Sequence, residues 1–219
     1  MAGSTDVGTG VGSVGERLLQ VAYGSEERAR RFYETQMLDH LNEVMREFIA
    51  RQEMMFVATA DGDGHCDATF RAGPPGFVAV LGERQVAWPE YRGNGVMASL
   101  GNIATNAHAG LLFVDFEDSI GLHLNGRATI VENEAVPLPR DPLAGRRPER
   151  WVRIEVDEAY IHCRKHIPRL VKVPHDRAWG TDNPRAKGGD YFNVARDRAQ
   201  PAPPPEPPRR RWWQRLLDS

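Results

Sequence analysis

The feature that most constrains this chain is a change of period at Met54. From there to Ile161, short apolar or alternating runs are cut by turn-forming residues, a pattern that suits a many-stranded sheet. Met54–Ala60 is apolar, and Asp61-Gly62-Asp63-Gly64 after it is a strong hairpin signal. Cys66–Arg71 alternates, and Gly73-Pro74-Pro75-Gly76 turns the chain. Phe77–Leu81 and Gln85–Trp88 follow, separated by Gly82-Glu83-Arg84. Leu111–Phe116 and Leu122–Val131 are strands joined at Glu117-Asp118-Ser119, and Trp151–Ile161 alternates again through Val152, Ile154 and Val156. One helix fits Val96–Thr105, with Asn94 or Gly95 near its start. About seven strands in roughly 110 residues, with one inserted helix, predict a barrel or sandwich.

Upstream the period is helical. Leu18, Leu19, Val21 and Ala22 form a short amphipathic stretch before Gly24. Ser25 with Glu26 and Glu27 suits a helix start, and Phe32, Met37, Leu38, Leu41, Val44, Met45, Phe48 and Ile49 recur at helical spacing. Core packing is the expected role of that stripe. The glycine-rich start is expected to be disordered. Residues 164–196 are irregular, and Pro137–Pro148 is a proline-rich loop. Pro201–Pro208 is polyproline, and Arg209–Leu217, with Trp212 and Trp213, is either a solvated tail or a docking peptide for a partner or anionic membrane surface.

Charge narrows the function classes. Lys and Arg total 28 and Asp and Glu 30, a net charge of -2, which argues against bulk nucleic-acid binding. The segment from Arg198 holds five Arg and two acids, so it carries +3 and the remainder -5. No run is long enough for a transmembrane segment, and the N-terminus has no basic and apolar signal pattern, so a cytoplasmic location is expected. Cys66 and Cys163 each follow a histidine, but strand neighbours point to opposite faces, so no metal is expected. Both cysteines are expected as small core residues.

The chemistry-bearing stretch runs from Thr69 to Arg127. Tyr91-Arg92-Gly93-Asn94-Gly95 precedes the inserted helix. Glycines let backbone N–H groups approach a ligand, a helix amino end favours an anion, and Arg92 and Arg71 offer charge-assisted contacts. Ser99 adds a hydroxyl on the same helix. These are parts for holding a phosphate monoester. The same residues also fit a plain turn before a helix with surface arginines, and spacing alone does not separate the two.

The ordered series resembles the pyridoxamine 5'-phosphate oxidase-like family of FMN-binding split barrels. It comprises the strand with Thr69-Phe70-Arg71, the Pro-Pro-Gly turn, Tyr91-Arg92-Gly93-Asn94, Ser99-Leu100-Gly101-Asn102-Ile103, Gly110-Leu111-Leu112-Phe113, Asn125-Gly126-Arg127 and Tyr160-Ile161-His162-Cys163-Arg164-Lys165. The resemblance implies an α+β chain, mainly β with helices: a split β-barrel behind an N-terminal helical segment. It implies a homodimer with FMN in the groove between subunits. Thr69, Phe70 and Arg71 would run along the flavin, and Trp88 and Tyr91 would either stack near its ring or pack as buried barrel aromatics. Arg92, Asn94 and Ser99 would hold the phosphate, and the strand from Leu122 to Arg127 would come from the neighbouring subunit or the interface. The chain departs from the pattern at Val96, where relatives usually carry an arginine.

The divisions expected are a disordered N-terminus (1–14), a helical lead-in (15–51), the split barrel (52–165), a C-terminal extension (166–197) and a Pro/Arg/Trp-rich tail (198–219). The function expected is FMN-dependent oxidoreduction of an unidentified small molecule. A deazaflavin-dependent reductase and a non-catalytic flavin-binding or interaction module are the alternatives. The one Arg-x-His, Arg164-Lys165-His166, directly follows the last strand and is read as accidental, so vitamin B6 oxidase activity is not expected. His123 is expected as a core or interface histidine and His108 as a surface one. No catalytic acid or base is assigned.

Overall fold

A computed structural model describes residues 11–133, 136, 147–175, 177–178, 181, 183, 185–186 and 188–199. The chain divides into two compact units, Met1–Gly180 and Thr181–Ser219. The first holds α1 (Val14–Tyr23), α2 (Glu26–Gln36), β1 (Met37–Leu38), α3 (Glu43–Ala50), β2 (Met54–Ala60), β3 (Cys66–Ala72), β4 (Ala79–Val80), β5 (Gln85–Glu90), α4 (Ala98–Thr105), β6 (His108–Asp115), β7 (Ile120–Val131) and β8 (Arg150–His162).

The strands form one eight-stranded sheet in the order β3-β2-β6-β7-β8-β5-β4, with β1 paired to β8. Every pairing is antiparallel. Alternation sorts the side chains. On β2, Met55, Val57 and Thr59 are buried while Phe56 and Ala58 face outward. Leu41, Ile49, Val86, Trp88, Phe113, Leu124 and Ile154 fill the core from α3 and the strands around it. On the outer face, registers align Phe70, Phe56, Leu112, His123 and Tyr160 in one row across β3, β2, β6, β7 and β8. A bulge at Asn125/Gly126 locks β7 against β8, because a Cβ on Gly126 would lie 1.9 Å from the Glu155 carbonyl oxygen.

The helical stripe upstream is not one helix. Gly24, at φ 61°, closes α1, and α2 ends where Met37 turns extended. Met37 and Leu38 pair with Tyr160 and Ala159. β8 outruns β5, whose last partner is Glu155, so an open strand edge draws these residues out of helical conformation. Ser25 makes no side-chain cap; its carbonyl accepts the Ala29 N–H at 3.0 Å instead.

The cysteine expectation is overturned: Cys66 and Cys163 are both exposed, free thiols. Cys66 opens β3 on its outward side, in step with Ala68 and Phe70, and Cys163 lies just past the end of β8. The alternation that decides facing has no say over which strands end up at the rim.

In the second unit α5 (Val194–Arg198) is capped by Asp190, whose carboxylate accepts the Val194 and Ala195 N–H groups at 2.9 Å. The proline-rich and tryptophan-bearing tail, residues 1–10 and most of Pro137–Pro148 lie outside the described residues. No described helix is long and apolar enough to cross a membrane.

Candidate functional site

The sheet does not close on itself: β3 ends one side of the strand order and β5-β4 the other. The gap is bridged by side chains. Arg71 of β3 donates from Nε to Glu90 Oε1 at 2.8 Å and from Nη2 to Oε2 at 3.0 Å. Its Nη1 donates to Thr69 Oγ1 at 2.9 Å and to the Phe70 carbonyl at 3.2 Å. Trp88 Nε1–H donates to Glu90 Oε1 at 2.8 Å. Glu90 is only 8% exposed, so this planar pair sits largely out of water and is stronger than a surface ion pair.

Helix α4 lies against the same region. Its Leu100 and Ile103 enter the core, while Ser99 Oγ–H donates to Asp67 at 2.9 Å and Asn102 Nδ2–H to Thr59 at 3.1 Å. The helix begins two residues later than its apolar spacing suggests, because Asn94 Oδ1 accepts the Val96 N–H at 3.0 Å and Met97 turns left-handed at φ 57°. Among the described residues no side-chain cap hydrogen bond closes the amino end of α4, and no acid stands in its first turn. The preceding loop is exposed apart from half-buried Tyr91, and a Cβ at Gly93 or Gly95 would meet nothing within 4 Å. That uncapped end beside open glycines, with Arg92 exposed nearby in sequence, is a donor set fit for an anionic phosphate.

The expected site residues therefore separate. Thr69, Arg71 and Ser99 face inward at the seam. Tyr91, Arg92 and Asn94 stand on the loop before α4. Phe70 turns the other way, to the outer face, where its ring meets Phe56 edge-on at 5.6 Å. Arg127 is exposed on β7, in register with His108 and Glu155. Asn94 is occupied in ordering its own loop, and Arg71 is held by Glu90. Residue-by-residue reading of the sequence missed Asp67 and Glu90, while Trp88 is the buried barrel aromatic that was one of its two expected roles. The signal was present: Asp67, Thr69 and Arg71 recur at strand spacing, and Glu90 ends a run of otherwise apolar strand residues.

Two other clusters bear titratable groups. His123 Nε2 and His162 Nδ1 lie 2.7 Å apart, and the His123 ring stacks on Tyr160 at 4.7 Å. Burial, with the neighbouring His162, lowers the His123 pKa. At the β2–β3 hairpin, ligand-type atoms of Asp61, Asp63 and His65 fall within 4.8 Å of one another. Asp61 accepts the Asp63 and His65 N–H groups at 2.9 Å, so hairpin bonding accounts for that grouping. A cleft of about 760 Å³ opens on the outer face, lined by Phe70 but by none of Thr69, Arg71, Arg92, Asn94 and Ser99.

An open antiparallel barrel with a helix lying against its seam is the split-barrel architecture. Residues 41–163 match the model of the pyridoxamine 5'-phosphate oxidase family, more than half of the chain, and the protein belongs to that family. Among solved structures it is similar to HupZ of Group A Streptococcus, at 19% identity over 60% of this chain and 99% of that one, with a TM-score of 0.42. An FMN-binding protein from Syntrophomonas wolfei matches at 12% identity over 71% and 99%, TM-score 0.41. A structure described as an F420 reductase matches at 17% identity over 56% and 98%, TM-score 0.37. No curated protein matches the chain.

Proposed function

We propose that the protein is an FMN-dependent oxidoreductase whose cofactor lies between two copies of the chain and whose substrate is a small molecule other than pyridoxamine phosphate. The observation that carries this reading is the uncapped amino end of α4, next to the Gly93–Gly95 loop and the polar seam, in a chain of this family. The α4 amides and Arg92 would hold the phosphate. Ser99 fixes α4 to β3 through Asp67 and so sets where those amides point. Arg71, committed to Glu90, would hold the strand rather than ligate the phosphate. FMN, when bound, supplies hydride and electron chemistry that no side chain here offers. The outward row with half-exposed Phe70 and Phe56 is the surface a second copy would cover, and Arg127 stands on the same face.

The reading against vitamin B6 oxidation rests on Arg164-Lys165-His166. These residues form a short 3-10 turn directly after β8, and Arg164 donates to the Asp118 carbonyl at 3.4 Å. The decisive experiment is an absorbance spectrum with mass spectrometry of whatever co-purifies. Flavin bands are expected; protein that stays colourless after incubation with FMN overturns the proposal. A shorter-wavelength band from a deazaflavin would transfer the site to that coenzyme. Turnover of pyridoxamine phosphate would overturn the substrate statement.

A further inference from the structure

The polar seam between β3 and β5 carries an acid that is left unanswered. Glu90 is paired with Arg71, and Arg150, opposite Glu90 on β8, stands 3.6 Å from Glu149. Asp67 is different. Its half-buried carboxylate accepts from a neutral hydroxyl, Ser99 Oγ–H, at 2.9 Å, and among the described residues no cation pairs with it. The hairpin leading into β3 adds Asp61 and Asp63, with His65 already bonded to Asp61. This end of β3 is therefore negative.

Asp67 is also close to the amides assigned to the phosphate. The Gly101 N–H donates to the Met97 carbonyl at 2.8 Å, and the Ala98, Ser99 and Leu100 N–H groups precede that bond, without acceptors of the helical ladder. Bond lengths place a serine hydroxyl oxygen about 3 Å from its own amide nitrogen, so the Asp67 oxygen lies at most about 6 Å from the Ser99 nitrogen. Over such a distance salt does little to screen two charges, since the Debye length is about 8 Å at physiological ionic strength. The attraction to be weighed against it is small: from Pro89 to Thr105 the sequence holds a single cation, Arg92.

We propose that Asp67 is a specificity-determining residue of the phosphate subsite, whose unneutralised carboxylate opposes the double charge of a phosphate monoester and so weakens the hold on FMN. The inference rests on the flavin reading above and names the residue that sets how strongly the tail is recognised. Asp67 acts in two ways. It repels the anion through space, and it takes up the Ser99 hydroxyl, so that a phosphate oxygen meets the first-turn amides without that donor. Neither effect reaches the ring end of the cofactor, which carries no comparable charge.

Titration of the full chain with FMN, and with riboflavin as the same ring without a phosphate, followed by flavin fluorescence, tests this. Asp67→Asn keeps an acceptor for Ser99 and removes only the charge. FMN is expected to bind the variant about tenfold more tightly than the native chain, with riboflavin changed by less than about twofold. In about 0.5 M sodium chloride the FMN gain should shrink to about threefold, as screening weakens a repulsion but not a packing change. Equal FMN affinity in the two chains overturns the inference and leaves the flavin reading standing. An equal gain for both flavins, or a gain indifferent to salt, gives Asp67 a packing role and overturns it too. Absence of binding by either flavin to either chain removes the flavin reading and this inference together. Should Asp67→Asn fail to fold, Asp67→Ser removes the same charge with a smaller side chain and is held to the same outcomes.

Discussion

At Glu90 a carboxylate with little access to water meets a bidentate guanidinium and an indole N–H. Removing its charge strands Arg71 in a half-dry seam. Glu90→Gln is therefore expected to cost about 2–4 kcal/mol in urea unfolding, and a loss under about 0.5 kcal/mol would mean the bridge contributes nothing. The histidine pair makes a second prediction. Burial lowers the His123 pKa below its ordinary 6.5, so the unfolded chain takes up the proton first. Its contribution to stability is complete above pH 6.5 and drains away as the pH falls below that value. Melting temperature should fall more steeply on acidification in the native chain than in His123→Gln; parallel curves would count against it. The polar alternation of β3 was legible in the sequence, but the partner of Arg71 was not. Glu90 lies 19 residues away on a strand that does not pair with β3, and the two meet only once the sheet has curled.

Among the elements, β2 falls where its apolar run predicts, bounded by a turn signal that needs no tertiary information. The inserted helix was legible too, but not its first residue, since a local bond from Asn94 outcompetes the apolar period. β1 could not have been read, because two residues become a strand only when the edge of β8 is there to receive them. Helix α4 is held chiefly by Leu100 and Ile103. Ile103→Ala should destabilise by about 2–4 kcal/mol, through lost burial and an unfilled cavity. If α4 orders the phosphate site as proposed, the same variant should also weaken FMN retention, which equilibrium dialysis measures.

For the molecule as a whole, the outer face poses the question of oligomeric state. Phe56, 43% exposed, stands second in a continuous row reaching from Phe70 to Tyr160. Phe56→Asp should halve the mass seen by light scattering while leaving the circular dichroism spectrum intact. A native chain already monomeric at micromolar concentration would remove the shared-cofactor proposal. Strand order has a further consequence. β5 bonds only to the two-residue β4 and to β8, the last strand of the sheet. A ribosome releasing this chain from its amino end can supply β2, β3, β6 and β7 with partners early. Val86, Ala87 and Trp88, in contrast, must wait until Arg150–His162 has emerged. During synthesis this greasy segment is the one most in need of a chaperone's shelter, and any truncation upstream of Arg150 leaves it permanently orphaned.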